Sequence, residues 1–429
     1  MEFSFLHISD IHLGRPFSDI TTGAEELSLC VQACKKSFNK IIDFAIEKKV
    51  DFVLIAGDSF DSDEHDLGAK LLFIKSLEKL ADNGIKSYVI CGNHDPIEMY
   101  KSFKNYFYFD EKYDGLINIT GVTTEEMIAS FSPVKGVNIH TVSFEKEEMK
   151  NPIKYLPKLS LSEEKEFNIG LIHCDLDKKD SKYAPVSRDD LRKLGYDYYA
   201  LGHIHLPQDN DENMIYSGTI QARSRKEKNE HGCFYIEVNS GVNRGARSKK
   251  EIEKEFIPFD VVRFMDIEVD CSGTKNKIEV FEKISEVVND MSFEVELNLL
   301  DITLVGTSNA YDELLKSDEL LNEYRETFGD NKKVVVYNIS NGLIPEIDEN
   351  EIRQDKGIVG IISNVEEDVY DGVYENIARI HEKIYKSLGL DTVSKEYLSL
   401  ALEEDKDKII DDVKKELMVL CKEIYNSEE

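Results

Sequence analysis

The sequence predicts an α/β fold with its chemistry gathered at strand ends. Three observations carry this. Apolar runs of strand length alternate with helix-periodic stretches through the first half of the chain. Five runs lead directly into Asp10-Ile11-His12, Gly57-Asp58, Gly92-Asn93-His94-Asp95, His173 and Gly202-His203-Ile204-His205. Beyond residue 262 the alternation restarts on a smaller scale, then gives way to acidic, helix-periodic sequence.

Phe3–Ile8 reads as the first strand. Leu29 to Lys48 follows as a helix, with Phe38, Ile41, Ile42, Ala45 and Ile46 at helical spacing. Residues 52–56 form a continuous apolar run, which suits a strand buried on both faces. Asp66 to Leu80 is expected as a helix stopped by Asn83-Gly84, and Tyr88–Ile90 as the next strand. Ile169–Ile172 and Tyr198–Leu201 repeat the strand pattern, and open α/β sheets place their sites at such strand ends. Phe234–Val238 and Phe256–Val261 read as strands completing the sheet. The second unit reads strand (Met265–Val269), helix (Ile278–Val288), strand (Phe293–Leu304), helix (Tyr311–Tyr324), strand (Val334–Ile339). The last carries apolar residues at Ile410, Val413, Leu417, Leu420 and Ile424, a 3-4-3-4 seam that either packs on its own domain or docks a partner helix. The expected division is 1–262, 263–343 and 344–429.

The 429 residues suffice for two or three domains, and 41% hydrophobic with 32% charged residues is the composition of a globular protein. No apolar run reaches the roughly 18 residues that span a bilayer. The N-terminus runs straight into a strand without a basic, then apolar, leader. Seven scattered cysteines without Cys-x-x-Cys suit a reducing compartment, so a cytoplasmic protein with no membrane association is expected. Cys30 and Cys34 share a helix face and are expected as buried thiols. The net charge of −31 argues against a general nucleic-acid coat. It does not exclude a nuclease, since bound metal ions add local positive charge. One basic stretch runs against this balance: Arg223, Arg225, Lys226 and Lys228, then Arg244, Arg247, Lys249 and Lys250. It reads equally as a phosphate-backbone contact and as a solvated loop.

Asp10, Asp58 and Asn93 supply oxygens, and His12, His173, His203 and His205 supply imidazoles. Together they can hold two divalent ions, leaving His94 for acid–base work. The mixed oxygen and nitrogen set suits manganese, iron or zinc better than calcium, and no thiolate joins it. Two ions about 3.5–4 Å apart clamp a phosphoryl group for in-line attack by water. Taken singly, His173 reads as a satisfied loop histidine, and Gly57-Asp58 and Gly92-Asn93 as turns. Five such motifs in order at five strand ends read as one site.

These motifs resemble the calcineurin-like metallophosphoesterase superfamily, a β-sandwich flanked by helices. Residues 6–17, 50–58 and 196–205 narrow the likeness to the SbcD-type DNA repair exonucleases, including the YhaO branch. The likeness covers about the first 225 residues. By position and pattern, the second unit resembles that family's α/β capping domain. The resemblance implies one ion on Asp10, His12, Asp58 and His205, and another on Asp58, Asn93, His173 and His203. It implies that His94 protonates the leaving oxygen or stabilises its charge. Manganese-dependent DNA cleavage beside an SbcC-like coiled-coil ATPase is implied too, along with a tendency to dimerise. Many such nucleases carry a second histidine where this chain has Asp61. The wider superfamily often has Asp there, which predicts an Asp61–His94 dyad; His65, close by, is the alternative substitute. Ser62 stands where protein phosphatases carry Arg. Arg15, Arg223 and Arg225 are candidate substrate contacts. A DNA exonuclease is therefore expected, with a phosphodiesterase for a small nucleotide or lipid-linked phosphate as the alternative. A subunit that mainly tethers an ATPase through its tail is compatible with the first.

Overall fold

The structure, a computed structural model, describes residues 2–15, 17, 24–61, 66–102, 109–159, 166–210, 213–240, 250–315, 320–328 and 333–345. His65, Arg244, Arg247, Lys249 and nearly all of the expected helical region 344–429 lie outside these residues.

The strands, in chain order, are β1 (Glu2–Ile8), β2 (Phe52–Ala56), β3 (Lys86–Ile90), β4 (Ile117–Ile119), β5 (Ile128–Phe131), β6 (Val137–Val142), β7 (Phe167–His173), β8 (Asp175–Leu176), β9 (Pro185–Val186), β10 (Tyr198–Gly202), β11 (Gln208–Asn210), β12 (Met214–Tyr216), β13 (Gly232–Ser240) and β14 (Lys250–Pro258). Helices α1 (Ala24–Lys48), α2 (Leu67–Asp82), α3 (Ile97–Ser102) and α4 (Arg188–Leu194) lie between them. Two six-stranded mixed sheets result, ordered β14-β13-β1-β2-β3-β4 and β11-β12-β10-β7-β6-β5. In the first, β1 through β4 run parallel, and β13 and β14 add antiparallel at the edge. In the second, β6, β7, β10 and β12 are parallel.

Side-chain alternation along these strands builds the layers. Phe5, Phe52, Leu54 and Tyr88 meet Ile139, Phe167, Ile169, Leu171 and Tyr198 in a core between the sheets. The intervening residues Leu6, Ile8, Val53 and Ile55 face away, onto Phe38, Ile41 and Ile42 of α1 and Phe73 and Leu77 of α2. Leu201 and Tyr199 pack on Leu191 and Leu194 of α4 behind the second sheet. A strand apolar on both faces is thus what a four-layer α/β/β/α arrangement requires. Each large side chain so buried contributes roughly 1.5–3 kcal/mol. Asp66 caps α2 by accepting from the Ala69 backbone N–H. Among the described residues no helix is long and apolar enough to cross a membrane, and the six cysteines there are buried thiols.

The expected elements differ in places. The strand expected at Phe256–Val261 is the end of β14, followed after a turn by β15 (Val262–Asp270). After β15 come α5 (Lys277–Asp290), β16 (Leu297–Val305), β17 (Thr307–Ser308), α6 (Tyr311–Leu315), α7 (Leu320–Phe328), β18 (Val334–Asn341) and β19 (Ile344–Pro345). The helix expected over Tyr311–Tyr324 is thus described as two pieces. Strands β4 to β6, β11 and β12 have no counterpart in the sequence reading. All but β6 have only three or four residues, and β6 carries Asn138 and His140 among its apolar residues.

Cα packing divides the chain into two units. Among the described residues, one comprises 2–266, 293–301 and 333–337; the other comprises 267–292, 302–328 and 338–345. In the first, Val262, Phe264, Leu297, Leu299 and Val335 pack with Cys30 and Ala33 of α1. In the second, α5 buries Val280, Phe281, Ile284 and Val288 along one stripe, with Asn276 as its cap.

Candidate metal centre

Every motif singled out in the sequence sits at or just past the end of a parallel strand, with His173 the last residue of β7 and Gly202 the last of β10. β1 delivers Asp10 and His12, β2 Asp58, β3 Asn93 and His94, β7 His173, and β10 His203 and His205. The backbone then turns sharply. Asp10 (φ 50°), His12 (φ 45°), Asp58 (φ 51°) and His203 (φ 102°) all adopt left-handed conformations that bulky residues avoid. Such strain persists only where the surroundings hold it, and it concentrates at functional sites. Here the Asp10 N–H donates to the Gly57 carbonyl at 3.1 Å and the His12 N–H to the Asp58 carbonyl at 3.0 Å. Buried Asp95 ties the next two loops together. It accepts from the N–H groups of Asp58, Ser59 and Gly92 at 3.1, 2.8 and 2.7 Å, and from the Tyr100 hydroxyl at 3.0 Å.

Two glycines let these loops approach. A Cβ on Gly92 would lie 2.1 Å from Asp58 Oδ1, and one on Gly202 would lie 2.0 Å from the Ala56 carbonyl oxygen. Neither space admits a methyl group.

Two groups of side chains converge. Asp10, His12 and His205 have ligand atoms within 4.8 Å of one another, and so do Asp58, His173 and His203. Asn93 Oδ1 joins the second, 2.9 Å from His173 Nε2 and 3.0 Å from His203 Nδ1. Asp58 stands between the groups, with Oδ2 3.3 Å from His173 Nε2 and 3.9 Å from His12 Nε2. Its Oδ1 accepts from the His94 N–H at 2.9 Å.

The donor set fits divalent cations. His173 Nδ1 lies 2.8 Å from the Ala56 carbonyl, which can only accept, so Nδ1 carries the hydrogen. A neutral ring would then turn a bare Nε2 toward two further acceptors, Asp58 Oδ2 and Asn93 Oδ1. A positive charge reconciles these three acceptors, either a proton on Nε2 donated to Asp58 or a metal ion in its place. His12 repeats the pattern: Nδ1 lies 3.2 Å from Asp61 Oδ1, and Nε2 is buried without a hydrogen-bond partner.

The electrostatics show how firmly the site holds such a charge. Burial would lower His173, but the charge and hydrogen bond of Asp58 override it and raise the imidazole to about 9. Asp58 is held well below the usual carboxylate range: burial opposes this, and His173 and His12 outweigh it. Burial, then the nearby Arg223 charge, lowers His12 to about 4, and burial followed by the His173 charge lowers His203. Neutral imidazoles are the ligand form. Burial and then the charge of Asp58 push Asp95 up to about 7.

His94 lies beside these groups, its Nδ1 2.9 Å from Asp61 Oδ1. The Asp61 hydrogen bond raises its pKa, against burial. Asp61 serves more than the expected dyad, since the same oxygen faces His12 and the carboxylate also pairs with Arg15 Nε at 3.2 Å.

The basic candidates separate. Arg225 and Lys226 are exposed. Arg223 is 4% exposed, its guanidinium 3.5 Å from Glu227 Oε1, which corrects its reading as a phosphate-backbone contact: a buried cation answers a buried anion. Lys228 pairs with Asp266.

Two carboxylates behind the centre were missed. Glu227 Oε1 lies 2.6 Å from His205 Nδ1, and Asp175 Oδ2 lies 3.3 Å from His203 Nε2. Asp175 stands two residues past His173, and Glu227 is the lone acid between Arg223 and Lys228. Neither spacing signals a contact with the Gly-His-x-His loop.

Residues 3–207 match the family model of calcineurin-like phosphoesterases. The Bacillus subtilis protein YhaO, an uncharacterised metallophosphoesterase, is 28% identical over 321 residues, which are 72% of this chain and 72% of that protein. The DNA double-strand break repair protein Mre11 of Methanocaldococcus jannaschii is 27% identical over 307 residues, 66% of this chain and 74% of that one. Its namesake from Saccharolobus solfataricus is 26% identical over 326 residues, 70% of this chain and 80% of that one.

Proposed function

We propose that this chain, whose residues 3–207 match the model of the calcineurin-like phosphoesterases, hydrolases of phosphate esters, is a two-metal phosphodiesterase that cleaves DNA. The observation that carries the reading is the convergence of seven ligand side chains in two groups about Asp58, with His94 poised on Asp61 beside them. Asp10, His12, Asp58 and His205 would hold one ion, and Asp58, Asn93, His173 and His203 the other. Manganese fits the mixed donors.

Divalent ions, when bound, supply charge that polarises a phosphoryl group and favours ionisation of the attacking water. The protein supplies the rest. Left-handed turns fix the carboxylates and imidazoles before substrate arrives, so no reorganisation is needed during the reaction. Asp61 accepts the Nδ1 hydrogen of His94 and stabilises its protonated form. His94 then holds a proton at Nε2 for the departing oxygen, a contribution of typically 10²–10⁴-fold. Arg15, 44% exposed at its side chain and anchored on Asp61, would meet a phosphate of the substrate.

DNA as substrate rests on the named function of the Mre11 relatives and on the SbcD-like stretches 6–17, 50–58 and 196–205. An SbcC-like coiled-coil ATPase as partner, a homodimer and a cytoplasmic setting belong to the same proposal. With MnCl2 the purified protein is expected to degrade linear DNA, and Asp58→Ala to abolish this. Undiminished cleavage by that variant would remove the site from the reaction. The net charge of −31 favours a second reading, a small nucleotide or lipid-linked phosphate as substrate. Turnover of a cyclic nucleotide much faster than DNA would select it.

A further inference from the structure

Glu227 and Asp175 lie outside the seven candidate ligands, yet both are buried and both end on the histidine pair that follows β10. Glu227 is itself held in place: Oε2 accepts from the Arg223 backbone N–H at 2.8 Å, and the Arg223 guanidinium neutralises it within the interior. Asp175 is held likewise, accepting from the Ser181 hydroxyl through Oδ2 and pairing with Lys178 Nζ at 2.9 Å through Oδ1.

A neutral imidazole has one N–H, and a carboxylate can only accept it. Beside Glu227, His205 therefore carries its hydrogen on Nδ1 and leaves a lone pair on Nε2. His203 Nδ1 meets Asn93 Oδ1, and its Nε2 is 3.3 Å from Asp175 Oδ2; with an ion at Nδ1 in place of the Asn93 contact, the ring's hydrogen has only Nε2 left, facing Asp175. The bare nitrogens are opposite in the two rings, and the rings face different groups. His203 Nδ1 lies 3.0 Å from Asn93 Oδ1, and its ring is 5.2 Å from that of His173. The ring of His205 is 5.2 Å from that of His12, whose own bare Nε2 faces inward. Two residues apart on one turn, the histidines need opposite tautomers, and nothing in the turn itself provides them.

We propose that Glu227 and Asp175 are positioning residues, one for each half of the centre, that fix which ring nitrogen of His205 and of His203 is offered to a metal ion. This rests on the reading of the histidine pair as ligands, but not on the identity of the substrate. Outer partners of this kind typically change metal affinity by 10–100-fold when removed.

The test is titration of metal-stripped, full-length protein with MnCl2, followed by calorimetry. Glu227→Gln is expected to weaken one of two ions by about 10–100-fold and spare the other, and Asp175→Asn to do the reverse. The ion weakened by Glu227→Gln should be the one that His12→Gln weakens. A purely structural role would lower the urea midpoint of the metal-free protein and leave both dissociation constants in place. Constants within about twofold of the parent in both folded variants would overturn the proposal, as would equal weakening of both ions by each. Glu227→Gln leaves Arg223 buried without its anion; if it does not fold, Glu227→Gln combined with Arg223→Met gives the same readout. A parent that binds two Mn²⁺ ions and cleaves no DNA would refute DNA as substrate while leaving this assignment standing.

Discussion

Replacing Gly92 by Ala tests how tightly the centre is built, because the perturbation is one methyl group. Gly92 does not adopt a left-handed φ, so alanine adds no backbone strain there. The cost is steric. The new Cβ would lie 2.1 Å from Asp58 Oδ1, 2.8 Å from its Cγ and 2.6 Å from its backbone nitrogen, whereas ordinary contact begins at 3.4 Å. Asp58 must therefore withdraw by roughly 1 Å, and it has nowhere to go: its N–H is held by Asp95 and its Oδ1 by the His94 N–H. A misplacement of about 1 Å costs on the order of 10²-fold in rate. That is about 2.7 kcal/mol of transition-state stabilisation. Overpacking adds about 1–3 kcal/mol of lost stability. The measurements are kcat on linear DNA and on a synthetic phosphodiester, the Mn²⁺ dissociation constants, and the urea midpoint. Gly84→Ala is the control, since nothing lies within 4 Å of its Cβ and it is remote from the site; its φ of 75° predicts a stability loss without a change in kcat. A Gly92→Ala protein with kcat within about threefold of the parent and unaltered Mn²⁺ affinity would refute the idea that Asp58 is fixed between the two ligand groups.

Other expectations follow from the same geometry. His94→Gln should lower kcat by about 10²–10⁴-fold while Mn²⁺ affinity stays within about twofold; loss of Mn²⁺ binding would instead make His94 a ligand. Asp61 raises the His94 pKa through its hydrogen bond. The protonated ring therefore persists to higher pH in the parent than it would without Asp61. Asp61→Asn should move the alkaline limb of the pH–rate profile downward, and an unmoved limb would sever the pair. Asp66→Ala should remove the α2 cap at a cost of about 1 kcal/mol in urea unfolding. Burial opposes but Lys35 and the capping N–H outweigh it, so the Asp66 carboxyl is held below 3.8. Its stabilisation is thus present above pH 3.8 and lost as pH falls through the lower folded value; a difference between parent and variant that stays constant through that range would argue against it. At 100 times its dissociation constant, Mn²⁺ should stabilise the protein by about 2.7 kcal/mol per site, read as a drop in Tm on chelation.

Much of the first unit was legible in the sequence for a physical reason. β2 has the bounds its apolar run indicates, because a strand pressed between another sheet and two helices tolerates no polar residue on either face. The candidate ligand motifs were legible because they end or directly follow such strands, so their positions at parallel strand ends come from local pattern alone. Cys30 and Cys34 were legible as buried thiols from their place on the α1 stripe. Short strands such as β5 and β12 left too few residues for a period to register. β14 begins in a charged stretch, where alternation of Glu and Lys with apolar residues hides its true extent.

The sequence by itself determined the residue types of the centre, their order along the chain and their place after strands, since each depends only on neighbours a few positions away. The tertiary structure decided what distance in the chain conceals. It set Asp58 between the two groups of candidate ligands, gave Asp61 to His12 and Arg15 as well as to His94, and turned Arg223 inward onto Glu227. It also set Asp175 and Glu227 behind His203 and His205. These are contacts between loops from different strands, fixed by how two sheets stack, and no spacing along a single chain encodes which nitrogen of a ring will face which neighbour.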